Sequence, residues 1–176
     1  MTHASLLRSI GRTHYLIDTE PAAAISIAKL GNTIMSLEVI REDFQFLDNW
    51  EDRYRYVIEL GRQLAPFPED DRTDANKVRG CVSQVWLKTE IDRPNAGAGD
   101  RLTFVGDSDA LIVKGLIAIL LEIYNGKSAS ELLAIDAEAI LSELGLHEHL
   151  TPQRSNGLSA MVARMRRDAE ATISTP

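Results

Sequence analysis

The chain has 176 residues and a formal net charge of −7, with 44% hydrophobic and 26% charged residues, the balance of an ordinary globular protein. Its one cysteine excludes an internal disulfide, a CxxC redox pair, a four-thiolate zinc site and a self-contained iron–sulfur cluster, and fits a reducing, cytoplasmic setting. The acidic balance argues against nucleic acid as the main partner, because phosphate neutralisation needs a basic face.

In chain order, residues 1–34 are short of aromatics and show no long amphipathic repeat. The first 17 residues carry Arg8 and Arg12 but no acid, as a transit peptide would, until Asp18 and Glu20 break the pattern. There is no continuous apolar region to make a secretory signal. Pro21 suits the first turn of a short helix over Ala22–Leu30. The stretch reads as a loosely packed arm, or as the result of a start codon placed too early, with Met35 opening the domain. That domain is expected over residues 35–173.

Leu37, Ile40, Phe44 and Leu47 recur at helical spacing. Asp48 with Glu51 reads as a capping box for a second helix, whose face is Trp50, Tyr54, Val57, Ile58 and Gly61. That helix is expected to end near Gln63, with Pro66 and Pro68 enforcing a loop to about Asn76. Val82–Ile91 alternates as a strand, Pro94 to Gly99 marks a hairpin loop, and Leu102–Val105 returns. Lys77–Gly80 is expected to add a short third strand. Gly106-Asp107-Ser108-Asp109 ends the sheet and caps a helix over Ala110–Tyr124. This stretch is apolar nearly all round, shorter than a membrane span, and expected in the core. Asn125-Gly126 stops it. Ser128 with Glu131 forms another capping box, and Ala137–Leu144 a further helix stopped by Gly145. After Thr151-Pro152 comes a last helix with the stripe Leu158, Met161, Val162 and Met165, and with Arg164, Arg166 and Arg167 expected near its C-terminal end, where cations suit the dipole. The order is α+β: a small three-stranded antiparallel sheet packed against several helices, not the βαβ alternation of a nucleotide-binding sheet.

Signatures of most enzyme classes are missing: no GxGxxG, Walker loop, GxSxG or HExxH. His147 and His149, two apart, would face different ways on a helix and read as solvated, as do His3 and His14; no metal site is expected. What remains is Cys81, within Asn76-Lys77-Val78-Arg79-Gly80-Cys81-Val82-Ser83-Gln84-Val85-Trp86. A lone cysteine is usually a small buried hydrophobe. Against that, Lys77 and Arg79 would favour the reactive thiolate, Gly80 permits a sharp turn, and the position is a loop or strand end. A papain-like hydrolase would need an imidazole beside the thiol, and a peroxidase would need a resolving cysteine. A thiol that receives and passes on one sulfur atom needs neither.

The Asn76–Trp86 block, with Trp50-Glu51-Asp52-Arg53-Tyr54, Ile58-Glu59-Leu60-Gly61, Gly106-Asp107-Ser108-Asp109-Ala110, Ile112-Val113-Lys114-Gly115-Leu116, His149-Leu150-Thr151-Pro152 and Arg154-Ser155-Asn156-Gly157-Leu158, resembles the SufE family of cysteine desulfuration proteins. The match runs from about Ser36 to the last helix, and the two blocks GCxSQVW and TPxRSNGL in this order are specific. The resemblance implies an α+β fold shared with IscU-type scaffolds, though the three ligand cysteines of IscU are missing. It implies sulfur acceptance from a pyridoxal-phosphate cysteine desulfurase of the SufS or CsdA type, stimulation of that enzyme, and delivery to an iron–sulfur scaffold such as SufBCD. No cofactor is implied for this chain, since the pyridoxal phosphate belongs to the desulfurase. The accepting residue falls on Cys81. Arg79, Gly80, Ser83 and Gln84 flank it; the family aspartate falls on Asp109, with Asp107 the alternative, and the family arginine on Arg154. These are expected to support the loop or a partner interface. Two other readings stand beside this one: a desulfurase-binding regulatory module whose cysteine is structural, and an independent thiol enzyme.

Overall fold

The computed structural model describes residues 36–93 and 100–174. The N-terminal arm, the short helix expected over Ala22–Leu30, His3, His14 and the hairpin loop at Pro94–Gly99 lie outside the described residues. The elements are α1 (Leu37–Phe46), α2 (Trp50–Arg62), β1 (Val85–Asp92), β2 (Arg101–Ser108), α3 (Leu111–Tyr124), α4 (Ala129–Ala134), α5 (Ala137–Glu143), α6 (Leu146–His149) and α7 (Pro152–Ser174). The fold is α+β, with a two-stranded antiparallel sheet in which Val85 faces Ser108 and Asp92 faces Arg101.

The expected third strand is reduced to a single bridge. Lys77 opposes Trp86, the Val78 N–H donates to the Val85 carbonyl at 2.9 Å, and the Leu87 N–H donates to the Asn76 carbonyl at 2.7 Å. Turns at Asp74–Asn76 and at Arg79-Gly80 bound this piece on both sides, so no ladder can grow. The outer edge of β2 is closed differently. The Asn125 side chain accepts from the Phe104 N–H at 2.7 Å and donates to its carbonyl at 3.2 Å. Just beyond, the Leu102 N–H donates to the Lys127 carbonyl at 2.9 Å. β1 also begins three residues later than its alternation suggests, leaving Val82–Gln84 in a loop, and β2 runs on to Ser108.

Helix α3 lies in the core as its composition requires, with Ile112, Leu116, Ile117, Ala118, Ile119 and Leu120 all buried. It crosses α2 at Gly61 and Gly115, where the backbones come so close that a Cβ on Gly115 would overlap the Val57 carbonyl. α2 is capped by Asn49 and not by Asp48. The Asn49 Oδ1 accepts from the Asp52 N–H at 2.9 Å and its amide donates to the Asp52 carboxylate at 2.8 Å. Asn is as good an N-cap as Asp, so the start moves by one residue. The Ser128–Glu131 capping box is formed as expected. Ala110 caps α3 without a side-chain bond; Ser108 Oγ accepts from the Ala110 N–H at 3.3 Å, and Asp109 turns elsewhere.

α7 is longer than its apolar stripe suggested and runs to Ser174, which puts Arg164, Arg166 and Arg167 in its middle. They therefore do not serve the helix end. Arg164 pairs with Asp168 at 2.9 Å and donates to the Ala75 carbonyl at 3.1 Å, and Arg166 donates to the Ile135 carbonyl at 3.3 Å. Among the described residues no helix is long and apolar enough to cross a membrane.

Candidate functional site

Cys81 sits on the loop between the Lys77 bridge and β1, and this loop is fixed at both ends. Upstream, Val78 is buried and bonded to Val85. Gly80 then turns at φ +98°, a conformation that an L side chain rarely adopts. A Cβ on Gly80 would lie 3.4 Å from the Ala160 side chain on α7. Downstream, the Gln84 N–H donates to Asp109 Oδ1 at 2.9 Å, and the Ser108 hydroxyl donates to the Gln84 carbonyl at 2.7 Å. The Gln84 and Arg79 side chains are exposed.

Between these anchors the Cys81 thiol is half-buried. Its sulfur lies 3.5 Å from the carbonyl oxygen of Gly157 on α7, a weak S–H donation. Beside it is a cavity of about 230 Å³ with an apolar wall of Val113, Leu116, Leu158 and Met161. Ser83, Thr151, Gln153 and Arg154 also line it. Burial pushes the Cys81 thiol above its ordinary pKa, because the charged form is the one that loses solvation. This corrects the expectation that Lys77 and Arg79 hold it as a thiolate. The Arg79 guanidinium stands 3.9 Å from Asp74, largely exposed, and Lys77 lies in the bridge to Trp86.

The two candidate aspartates do different things. Asp109 bonds the Cys81 loop through Gln84. Asp107 is 6% exposed and lies between two cations, Arg72 and Lys114, each at 2.7 Å. Arg72 in turn stands over the Trp86 ring, 5.0 Å from its centroid, and its Nε is 3.0 Å from Glu69 without hydrogen-bond geometry. Asp107 thus ties β2 to α3 and to Arg72 in the loop before β1, and it does not line the cavity beside the thiol. Arg154 lies on the first turn of α7, where its own N–H donates to the Thr151 carbonyl at 2.9 Å. Its exposed guanidinium has no ion pair among the described residues.

Two features of the site went unread in the sequence. Gly157 is one: a Cβ there would come within 3.2 Å of the Cys81 sulfur. Glycine inside a helix costs about 1 kcal/mol relative to alanine, so an isolated glycine in the 152–174 pattern was the available signal. The other is the cavity wall itself, because Val113, Leu116 and Met161 carry the same periodic signature as any core residue. No histidine lines the cavity among the described residues. His149 is exposed, as expected, and stacks on Trp50 with ring centroids 4.4 Å apart.

Comparison with known proteins bears on the family and the fold. Residues 38–169 match the model of the SufE, Fe–S metabolism associated domain. The chain is 55% identical over 139 residues to an uncharacterized SufE-like protein of Rhizobium meliloti (strain 1021), covering 78% of this chain and 97% of that one. It is also 55% identical over 139 residues to an uncharacterized SufE-like protein of Rhizobium etli, covering 77% and 90%. Among solved structures, the solution structure of a hypothetical protein from Thermus thermophilus superposes with a TM-score of 0.60 at 23% identity, over 80% of this chain and 100% of that chain; this likeness concerns the fold.

Proposed function

This chain belongs to the SufE family, associated with Fe–S metabolism, and on that premise we propose that it is a cytoplasmic acceptor and carrier of sulfane sulfur, with Cys81 as the accepting residue. The donor is the persulfide of a pyridoxal-phosphate cysteine desulfurase of the SufS or CsdA type, which is stimulated when its persulfide is cleared. The recipient is an iron–sulfur scaffold such as SufBCD. The observation that carries this reading is the placement of the one cysteine: on an anchored loop, beside a cavity with apolar walls and room beyond its sulfur.

The chemistry is thiol exchange. The Cys81 thiolate attacks the outer sulfur of the donor persulfide. The new S–S bond forms as the donor's S–S bond breaks, the electron pair leaves with the donor thiolate, and the thiol proton passes to solvent or to that thiolate. Burial raises the thiol pKa, so docking that brings the sulfur out of its apolar seat would favour the thiolate that attacks. Asp109, Ser83, Gln84 and Gly80 shape the loop that carries it. Arg79 and Arg154 offer positive charge at its rim, where a persulfide anion or an acidic partner surface would meet it.

Incubation of the chain with a desulfurase and cysteine is expected to add one sulfur, about 32 Da, to Cys81 by mass spectrometry; a competent desulfurase that leaves Cys81 unmodified would sink the proposal. The half-buried seat of the thiol also favours a second reading, a regulatory module that docks on the desulfurase with Cys81 merely structural. Cys81→Ser separates the two: full stimulation of desulfurase turnover by this variant selects the module.

A further inference from the structure

We infer that Gly157 is the positioning residue for Cys81: the missing side chain on α7 is what lets the sulfur seat against the helix, and so sets how much of the thiol is sheltered. Only the functional meaning of this shelter rests on the sulfur-acceptor reading.

The geometry separates the sulfur from the rest of the loop. A Cβ on Gly157 would stand 3.2 Å from the Cys81 sulfur but 3.7 Å and 3.8 Å from its Cβ and Cα. The last two are ordinary contacts; the first is tighter than a relaxed core tolerates. A methyl at 157 therefore acts on the sulfur and not on the loop backbone. The backbone has little freedom to yield. Gly80 is packed toward Ala160, one turn further along the same face of α7, Arg164 one turn beyond holds the Ala75 carbonyl, and Asp109 holds Gln84. Relief is available by rotation about the Cys81 Cα–Cβ bond into another staggered position. That rotation takes the sulfur away from α7. Glycine here opposes the local preference of a long helix for alanine, and such conflicts between a local rule and a fold mark functional positions.

The test uses the full chain with Gly157→Ala, the exposed neighbour Asn156→Ala as control, Cys81→Ala, and the Gly157→Ala/Cys81→Ala double variant. With iodoacetamide as probe, Gly157→Ala is expected to be alkylated at Cys81 at least about tenfold faster, equivalent to 1.4 kcal/mol. Its rate–pH profile should move toward lower pH as the thiol regains solvent. Asn156→Ala should match the parent in both. In the Cys81→Ala background, where no sulfur opposes the methyl, Gly157→Ala should raise Tm; with Cys81 present that gain should be missing. An unchanged rate and profile in Gly157→Ala would overturn the inference. So would an equal Tm change in both backgrounds, or a double variant that fails to fold, since the methyl would then be meeting something other than sulfur. A parent chain that forms no persulfide, together with fast alkylation of Gly157→Ala, retains the seat and removes the sulfur-acceptor reading; persulfide formation with no alkylation change does the reverse.

Discussion

Two glycines make the same kind of close contact and meet opposite kinds of neighbour. Gly115, where α3 crosses α2, faces the Val57 carbonyl and backbone. Gly157, where α7 meets the loop, faces a cysteine sulfur. The first contact joins two helix backbones in the middle of the core, and nothing there can rotate away. The second joins a helix to one side-chain atom with a cavity beside it. The lesson is that tight packing does not by itself mean rigidity; what matters is whether the crowded atom has another place to go. The framework and the site of this protein differ in that respect more than in density.

The largest effect is expected at the framework glycine. Gly115→Ala should cost about 3 kcal/mol or more, read from the shift of the urea midpoint; a loss below about 1 kcal/mol would abolish the contrast with Gly157. Next is Asp107→Ala, which strips a buried carboxylate from Arg72 and Lys114. These two cations keep part of their hydration, so the cost should be about 2 kcal/mol, with little change in Cys81 alkylation. Asp109→Ala reverses those proportions. The loss of one acceptor on an exposed N–H should cost about 1 kcal/mol or less, while Cys81 alkylation accelerates because the loop has lost its downstream anchor. Equal behaviour of the two aspartate variants would erase the division between framework and site.

The smallest effect is the pH dependence of stability from the thiol. Burial raises the folded-state pKa of Cys81 above its unfolded value. The stability this contributes is fully present below the unfolded pKa, about 8.5, and is lost as pH rises through the folded pKa, because the unfolded chain releases its proton first. The Tm of the parent should therefore fall faster than that of Cys81→Ala between neutral pH and pH above about 9. Parallel curves would mean the thiol is solvated in the native state.

Much of the scaffold was legible because its signals are local. The all-round apolar run at Ala110–Tyr124 became the core helix, and Ser128 with Glu131 formed its box. The α2 start slipped by one residue because Asp48 and Asn49 are interchangeable as caps and only the fold chooses between them. The third strand failed because its length is set by two turns that propensity does not weigh against each other. At the site, Cys81 and Gly80 could be singled out from neighbouring residues. The raised pKa of the thiol could not, since Lys77 and Arg79 are near in sequence while the burial that raises it comes from packing against elements distant in sequence, such as α7. Gly157 lies 76 residues from Cys81, and nothing local connects them.

The Asn125 amide that closes the outer edge of β2 has a consequence for how this protein coexists with copies of itself. A two-stranded hairpin ordinarily presents two rows of free N–H and C=O groups, each a template for another strand. Here one row is met by an asparagine side chain and the Lys127 carbonyl. The start of the other row is met by Asn76 and Val78. Part of each edge of the hairpin is thus occupied from within the chain, which leaves a second copy fewer free backbone groups to pair with.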